Sequence, residues 1–315
     1  MRVCSRRYKM QELRKKVYRF RMKYSDRIFD ACNLIIMCLL LVIFVWPLWF
    51  VLIASFSDPN AVYSGKVLLF PKGFNLNAYI NTMKYELLWS GYANTIFYTV
   101  AGTLINLFMT VCAAYPLSRK EFPPRRVLLY FLLFTMYFGG GLIPTYLVVK
   151  NLHMVNTRWA MLIPGACSVY NVLITRSYFK NSIPESLFEA ARIDGANSYQ
   201  QLVRIVLPLS KPILAVIGLY YGVGHWNAYY NALIYLQDVE LLPLQSALRD
   251  ILLASKIMSD GLGGVITDRG MAERMQLIQS MRYSSIIIGT IPVLVVYPFV
   301  QKFFVKGVMI GSIKE

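Results

Sequence analysis

His153 and His225 are the only histidines in this 315-residue chain, and they lie far apart in the sequence. No H-E-x-x-H stretch places two imidazoles and a carboxylate on one helix face, so a zinc site of that kind is not encoded. No G-x-x-x-x-G-K-[ST] loop is present to cradle a nucleotide's phosphates. Gly139-Gly140-Gly141 is a glycine run inside an apolar stretch and does not resemble such a loop. The scattered serines lack a base and an orienting partner at any suggestive spacing. The sequence therefore offers no catalytic residues, no metal ligands and no cofactor site, and reads as a non-enzyme. Cys4 lies in a basic tail, whereas Cys32, Cys38, Cys112 and Cys167 lie in hydrophobic runs. With no C-x-x-C pair among them, they are expected to be buried small hydrophobes.

The residues whose types and spacing point to recognition lie between Glu185 and Pro212. Ser182 with Glu185 has the spacing of a capping box, and Pro184 suits a first helical turn. This predicts a helix from Pro184 to about Asp194 that stops at Gly195, where a left-handed turn costs little. Ser198 with Gln201 is a second capping box, and the helix it opens is expected to break at Leu207-Pro208. On the first helix, Leu187, Ala190, Ala191 and Asp194 recur at three- and four-residue spacing on one side. The small residues there would let a foreign backbone approach, and Glu185, Glu189 and Arg192 could make charged contacts around it. An amphipathic connector and a docking helix both fit this pattern.

The elements that position this segment follow from hydropathy. Apolar residues make up 57% of the chain and are grouped in long runs, the mark of an all-helical integral membrane protein. Six spans are expected, at about 31–55, 91–117, 127–149, 159–179, 212–236 and 284–304. The first is too long for a signal-peptide core. Asn94 and Asn106 in the second need partners in hydrocarbon and should face other helices. The glycine run and Pro144 in the third allow close packing or a local break. Residues 1–28 form a basic arm with 11 Lys and Arg against Glu12 and Asp26, and so carry much of the net charge of +17. That concentration is a topology signal and a contact for anionic lipid rather than for nucleic acid. With both termini cytoplasmic, the inner segments hold 11, 4, 5 and 3 basic residues, counting Arg176 and Lys302 at the inner ends of the fourth and sixth spans, and the outer ones 3, 2 and 5. This positive-inside bias puts residues 184–212 in the cytoplasm and makes residues 237–283 a large outer loop. The chain then divides into an arm at 1–28 and a six-helix domain at 29–315.

Glu189-Ala190-Ala191, then Gly195, then Ile205-x-Leu207-Pro208, resembles the EAA-x3-G-x9-I-x-L-P motif of permease subunits of bacterial binding-protein-dependent ABC importers. Every fixed position is present at the right spacing. Ala196-Asn197, Trp226-Asn227 and the tail Phe304-Val305-Lys306-Gly307 are similar to the carbohydrate branch, the maltose-type second permease. The resemblance covers nearly all of the chain after residue 30. It implies the type I importer permease fold in the bacterial inner (plasma) membrane. It also implies partners: a second homologous permease, two cytoplasmic ATPase subunits that bind ATP and Mg, and an extracytoplasmic solute-binding protein. The implied function is one half of the translocation path for a sugar, in particular an oligosaccharide, with coupling to the ATPases through Glu185, Leu187, Glu189, Ala190, Ala191, Arg192, Asp194, Gly195, Leu207 and Pro208. The same machinery for a non-sugar solute, a membrane-embedded enzyme and a channel are the alternatives.

The fifth span carries the richest polar and aromatic set, including Tyr220, Tyr221, His225, Trp226, Asn227, Tyr230 and Asn231. Aromatic faces stack on pyranose rings and amides bond hydroxyls. Tyr221, Asn227, Tyr230 and Asn231 are therefore candidates for a sugar path, with interhelical packing as the other reading. Gly218 and Gly222 form a small-x3-small pair suited to close helix contact.

Overall fold

The computed structural model describes residues 24–259, 281–298 and 301, and every regular element among them is helical. The basic arm up to residue 23, residues 260–280 of the expected outer loop and most of the C-terminal tail lie outside the described residues.

The longest element at the centre of the fold is α4, Glu86–Ser118. Its buried positions include Leu88, Gly91, Thr95, Tyr98, Gly102, Asn106, Thr110, Ala114 and Leu117, which recur every three or four residues along one face. Between Gly91 and Ala114 most of that face is small or polar. The opposite face exposes Ile96, Val100, Leu104 and Phe108. A water-soluble helix has the reverse arrangement. Where the surroundings are hydrocarbon, burying Leu against Leu brings little, and close backbone approach and hydrogen bonds hold helices together instead.

The other helices gather around α4. Before it come α1 (Tyr24–Ser55), α2 (Pro59–Tyr63) and α3 (Asn77–Met83). After it come α5 (Arg125–Tyr137), α6 (Leu142–Asn151), α7 (Trp159–Leu162) and α8 (Val169–Ser182). The second half holds α9 (Glu185–Ile193), α10 (Ser198–Leu209), α11 (Lys211–Trp226), α12 (Tyr229–Tyr235), α13 (Leu244–Ser259) and α14 (Met281–Pro298). Of these, α3, α5, α7, α8, α11 and α13 all touch α4.

Three described helices are long and apolar enough to cross a membrane: Phe29–Ser55 within α1, α4, and α14. The count rises to five if each of two bent helix pairs is one span. The expected third span is such a pair. Helices α5 and α6 meet at 114° across residues 138–141, where Gly141 takes φ +84°. The expected fourth span is interrupted between Leu162 and Val169, and the expected fifth between Trp226 and Tyr229. Pro164 and Asn227 stand at these two interruptions, and hydropathy averages over both.

Cys32, Cys38, Cys112 and Cys167 are exposed on the chain's own surface, which corrects the expectation that they are buried. They sit in or beside helices whose outward residues are apolar, and a thiol is as compatible with such a surface as with a core.

Candidate functional site

Helix α9 forms where expected. Pro184 is its N-cap, Asp194 its C-cap, and Gly195 follows at φ +76°. The amides of Asp194, Gly195 and Ala196 close the turn onto the carbonyls of Ala190, Arg192 and Ala191 at 3.0, 3.0 and 2.8 Å. The two capping expectations need correction. Ser182 belongs to the last turn of α8, and Pro184 caps α9 without a side-chain bond. The second box is formed one residue earlier, between Asn197 and Gln200. The amide of Gln200 donates to Asn197 Oδ1 (2.8 Å), and that of Asn197 donates to Gln200 Oε1 (3.0 Å).

Pro208 does not break its helix. Residues Leu202–Val206 are wound as a π-helical stretch, and the helix continues to Leu209 before turning 81° into α11 at Ser210. Widening the turn ahead of a proline relieves the contact between its ring and the carbonyl one turn back.

The two faces of α9 have different partners. Phe188 and Ala191 are buried, and Phe188 lies in a cluster with Ala114, Tyr115, Leu117, Phe179, Ile183 and Val206. Ala191 therefore faces the chain's own core rather than the outward surface. Its position three residues after Phe188 puts the two on one side of the helix. Leu187, Glu189, Ala190 and Ile193 are exposed, Ile193 to 87%, and Tyr199 and Val203 on α10 are exposed as well.

A short turn after α4 holds both ends of α9. At the first turn, Glu185 accepts from Arg119 Nη2 (3.4 Å) and lies 3.8 Å from Lys120 Nζ. At the last turn, the guanidinium of Arg192 donates to Glu121. The Arg119 guanidinium also lies 3.5 Å from the centre of the Phe188 ring, and its Nε is 3.4 Å from Glu121. The Arg192 hydrogen bond holds the Glu121 carboxyl below its ordinary pKa, and the same bond raises that of Arg192. Tyr115 Oη donates to the carbonyl of Ser198 (3.1 Å), which fixes the start of α10 to α4 as well.

A polar layer ties α4 to α11 and to the break before α8. The Asn106 amide donates to the Gly165 carbonyl (2.5 Å), leaving its Oδ1 to accept from His225 Nε2 at 2.8 Å. Gly102 makes room for the His225 ring, since a Cβ there would overlap it. Tyr221 is buried and bonds Thr110 Oγ1 (2.8 Å), while accepting from the amide of Ser168 (3.2 Å). It braces three segments. Gly222 packs beside Thr103 and Gly218 beside Leu107. Nearer the start of α4, Asn94 donates to the carbonyls of Glu240 (2.6 Å) and Leu242 (3.1 Å). Thr95 Oγ1 accepts from the amide of Leu244 (2.8 Å).

The other sugar-path candidates sit at the α11–α12 junction. Asn227 is exposed, donates to Val223 O (2.9 Å) and meets Gln245 Nε2 at 3.5 Å. Tyr230 and Asn231 on α12 are exposed. Tyr221, the fourth candidate, is instead buried on α11 with its hydroxyl in interhelical bonds. Sequence reasoning missed Arg119 and Glu121. Their only signal in the sequence is that Arg119 belongs, with Lys120, Arg125 and Arg126, to the four basic residues of the second inner segment, and this bears on topology alone.

No family model matches the sequence. The chain is 39% identical over 290 residues to the polygalacturonan/rhamnogalacturonan transport system permease protein YtcP of Bacillus subtilis (strain 168), covering 92% of this chain and 99% of that one. It is 37% identical over 290 residues to Protein LplC of the same organism, covering 92% and 96% of the two chains. The diacetylchitobiose uptake system permease protein NgcG of Streptomyces coelicolor is 24% identical over 298 residues, with 92% and 91% covered. Among solved structures, a bacterial ABC transporter involved in the import of the acidic polysaccharide alginate superimposes with a TM-score of 0.81 at 35% identity. That match covers 90% of this chain and 98% of the other.

Proposed function

This chain belongs to the family of permease subunits of sugar ABC transport systems, and from that premise we propose that it forms half of the translocation path of an oligosaccharide importer in the bacterial inner membrane. In this reading six spans cross the membrane, both termini are cytoplasmic, residues 1–28 are a basic arm and residues 29–315 the permease domain. The positive-inside distribution of Lys and Arg supports it. The other half is a second, homologous permease. Two cytoplasmic ATPase subunits bind ATP and Mg, and an extracytoplasmic solute-binding protein docks on the outer loop at 237–283.

Helix α9 is the coupling element. The observation that carries this is its division of labour: Phe188 and Ala191 are locked into the chain's own core, while Leu187, Ala190 and Ile193 are left outward. An isolated amphipathic connector has no reason to expose Ile193 to 87% beside an exposed Leu187. Glu189 supplies charge at the rim of this face and Gly195 the turn that sets the direction of α10. Asp194 ends α9, and Leu207 and Pro208 set the bend that leads into α11. ATP-driven closure of the ATPases displaces α9, and the permeases pass between inward- and outward-facing states that differ in how well that contact fits.

Asn227, Tyr230 and Asn231 are the candidates for sugar contact, on stacking and amide–hydroxyl chemistry. The names of YtcP and of the alginate transporter make oligosaccharides of uronic acids the first solutes to test. The experiment is affinity purification of the chain from its native membrane in mild detergent, with mass spectrometry of what accompanies it. Recovery of a second permease, an ATPase and a binding protein is expected, and the binding protein is then titrated with neutral and acidic oligosaccharides. Recovery of the chain alone, under conditions that keep known importers intact, would refute the assignment.

A further inference from the structure

We propose that the turn Arg119–Glu121 is the joint that transmits movement of α9 to α4, with Arg119 and Glu121 as positioning residues. This rests on the coupling role proposed for α9.

Glu185 and Arg192 stand seven residues apart, two helical turns or about 10 Å along the axis. Both are caught by the three consecutive residues that follow α4. A helix held at one end can pivot, whereas one held at both ends moves with its holder. Between the two ion pairs the grip is apolar, with Phe188 in the cluster that includes Ala114, Tyr115 and Leu117 of α4.

Arg119 joins the two kinds of contact. Its side chain is only 11% exposed, it covers the Phe188 ring, and it reaches both Glu185 and Glu121. The end of α4 is itself braced. Arg176 Nε donates to the carbonyl of Leu117 at 2.9 Å, and Arg125 Nη1 to that of Arg119 at 3.2 Å. These cations satisfy carbonyls that the last helical turn leaves open.

What α9 does to this joint is carried onward by α4. From Arg119 back to Asn94 the helix spans about 37 Å at the standard rise. At that distant end Asn94, Thr95 and Tyr98 hold the backbone of residues 240–244, the segment that leads into α13. In between, the layers at Asn106–His225 and Thr110–Tyr221 attach α11 to the same helix. A single continuous helix thus connects the α9 clamp to the base of the outer segment. Two-way communication between the ATPase side and the binding-protein side follows from its stiffness.

The test uses the complete importer in proteoliposomes or nanodiscs, with its ATPase and binding protein. Three variants are compared with wild type: Glu121→Gln, Arg192→Gln, and both together. The readouts are ATPase subunit recovered per permease, and the stimulation of ATP hydrolysis by solute-loaded binding protein. Each single variant is expected to retain the ATPase subunit and to lose stimulation by about fivefold or more, the lower range of measured site-to-site couplings. Because either single change already breaks the pair, the double variant is expected to fall no more than about twofold below the weaker single variant. Three results would overturn the joint: full stimulation in the single variants, fully additive losses in the double variant, or loss of the ATPase subunit in the single variants, which would make Arg192 a docking residue instead. If wild type itself retains no ATPase, the coupling role of α9 fails and the joint with it.

Discussion

Replacing Gly102 by alanine should shorten the life of the folded chain more than any other glycine-to-alanine change between α4 and α11. A Cβ at Gly102 would lie closer than 3.0 Å to three atoms of the His225 ring. The ring cannot swing away freely, because its Nε2 bonds Asn106 and Asn106 bonds the Gly165 carbonyl. Overfilling a packed contact of this kind costs about 1–3 kcal/mol. Displacing the ring also strands Asn106 Oδ1, and an interhelical hydrogen bond in a membrane protein is worth about 0.6 kcal/mol on average. The better helix propensity of alanine returns at most about 1 kcal/mol. The net is a loss of about 0.6–2.6 kcal/mol, and about 1.4 kcal/mol is tenfold in a rate. The assay is the half-life of the monodisperse, detergent-purified importer at a fixed elevated temperature. Gly218→Ala is the control, since its Cβ would meet Leu107 Cδ1 at an ordinary 3.5 Å. Gly102→Ala should fall about tenfold below wild type and Gly218→Ala should match or exceed it. Adding His225→Ala to Gly102→Ala should recover part of the loss. Equal half-lives for the two glycine variants, or no recovery without the ring, would refute the account of this interface.

Three further outcomes are expected. Tyr221→Phe removes partners from Thr110 and the Ser168 amide, and should cost about 1–3 kcal/mol in the same thermal assay while leaving the transport KM unchanged. At Gly195 a Cβ meets nothing within 4 Å, so only the backbone at φ +76° resists substitution. Gly195→Asn should therefore support near-normal ATPase stimulation, Gly195→Ala lose a little, and Gly195→Val lose most of it. Glu121 is held below its ordinary pKa by Arg192, so its contribution is complete above the carboxylate range and is lost only as pH falls through that lowered value. Binding-protein stimulation should owe no change to this pair between about pH 6 and 8. It should weaken with added salt at neutral pH, because both side chains are nearly half exposed.

What could be read from the sequence was what a few neighbouring residues decide by themselves. Helix α9 and its end at Gly195 follow from a proline, a glycine and a helical run, all within a dozen positions. The capping boxes slipped because the sequence offers the same spacing twice. Ser198 with Gln201 and Asn197 with Gln200 are equally good patterns, and the competition is settled by Gln201 turning back to the Ala196 carbonyl. Local spacing assigns Glu185 to a cap, whereas its partners in the structure, Arg119 and Lys120, lie more than sixty residues earlier. No local rule can see that distance, and the joint at Arg119–Glu121 was invisible for the same reason.

The place of α4 in the fold shows a different kind of blindness. Read by hydropathy it is one span among six, and the polar segment after α8 looks like the centre of the chain. In hydrocarbon the ranking reverses, because apolar side chains carry no preference between lipid and protein, and the informative residues are the small and polar ones. Asn94 and Asn106 were correctly expected to face other helices on this ground. Extending the same reasoning to Gly91, Thr95, Gly102 and Thr110 would have drawn the whole buried stripe of α4 at three- and four-residue spacing. That stripe meets α13 through Gly91 and α11 through Gly102, whose absent side chains admit the Leu244 backbone and the His225 ring. The element that organises a membrane chain is thus found by asking where side chains have been removed, and here that question leads to α4 before it leads to α9.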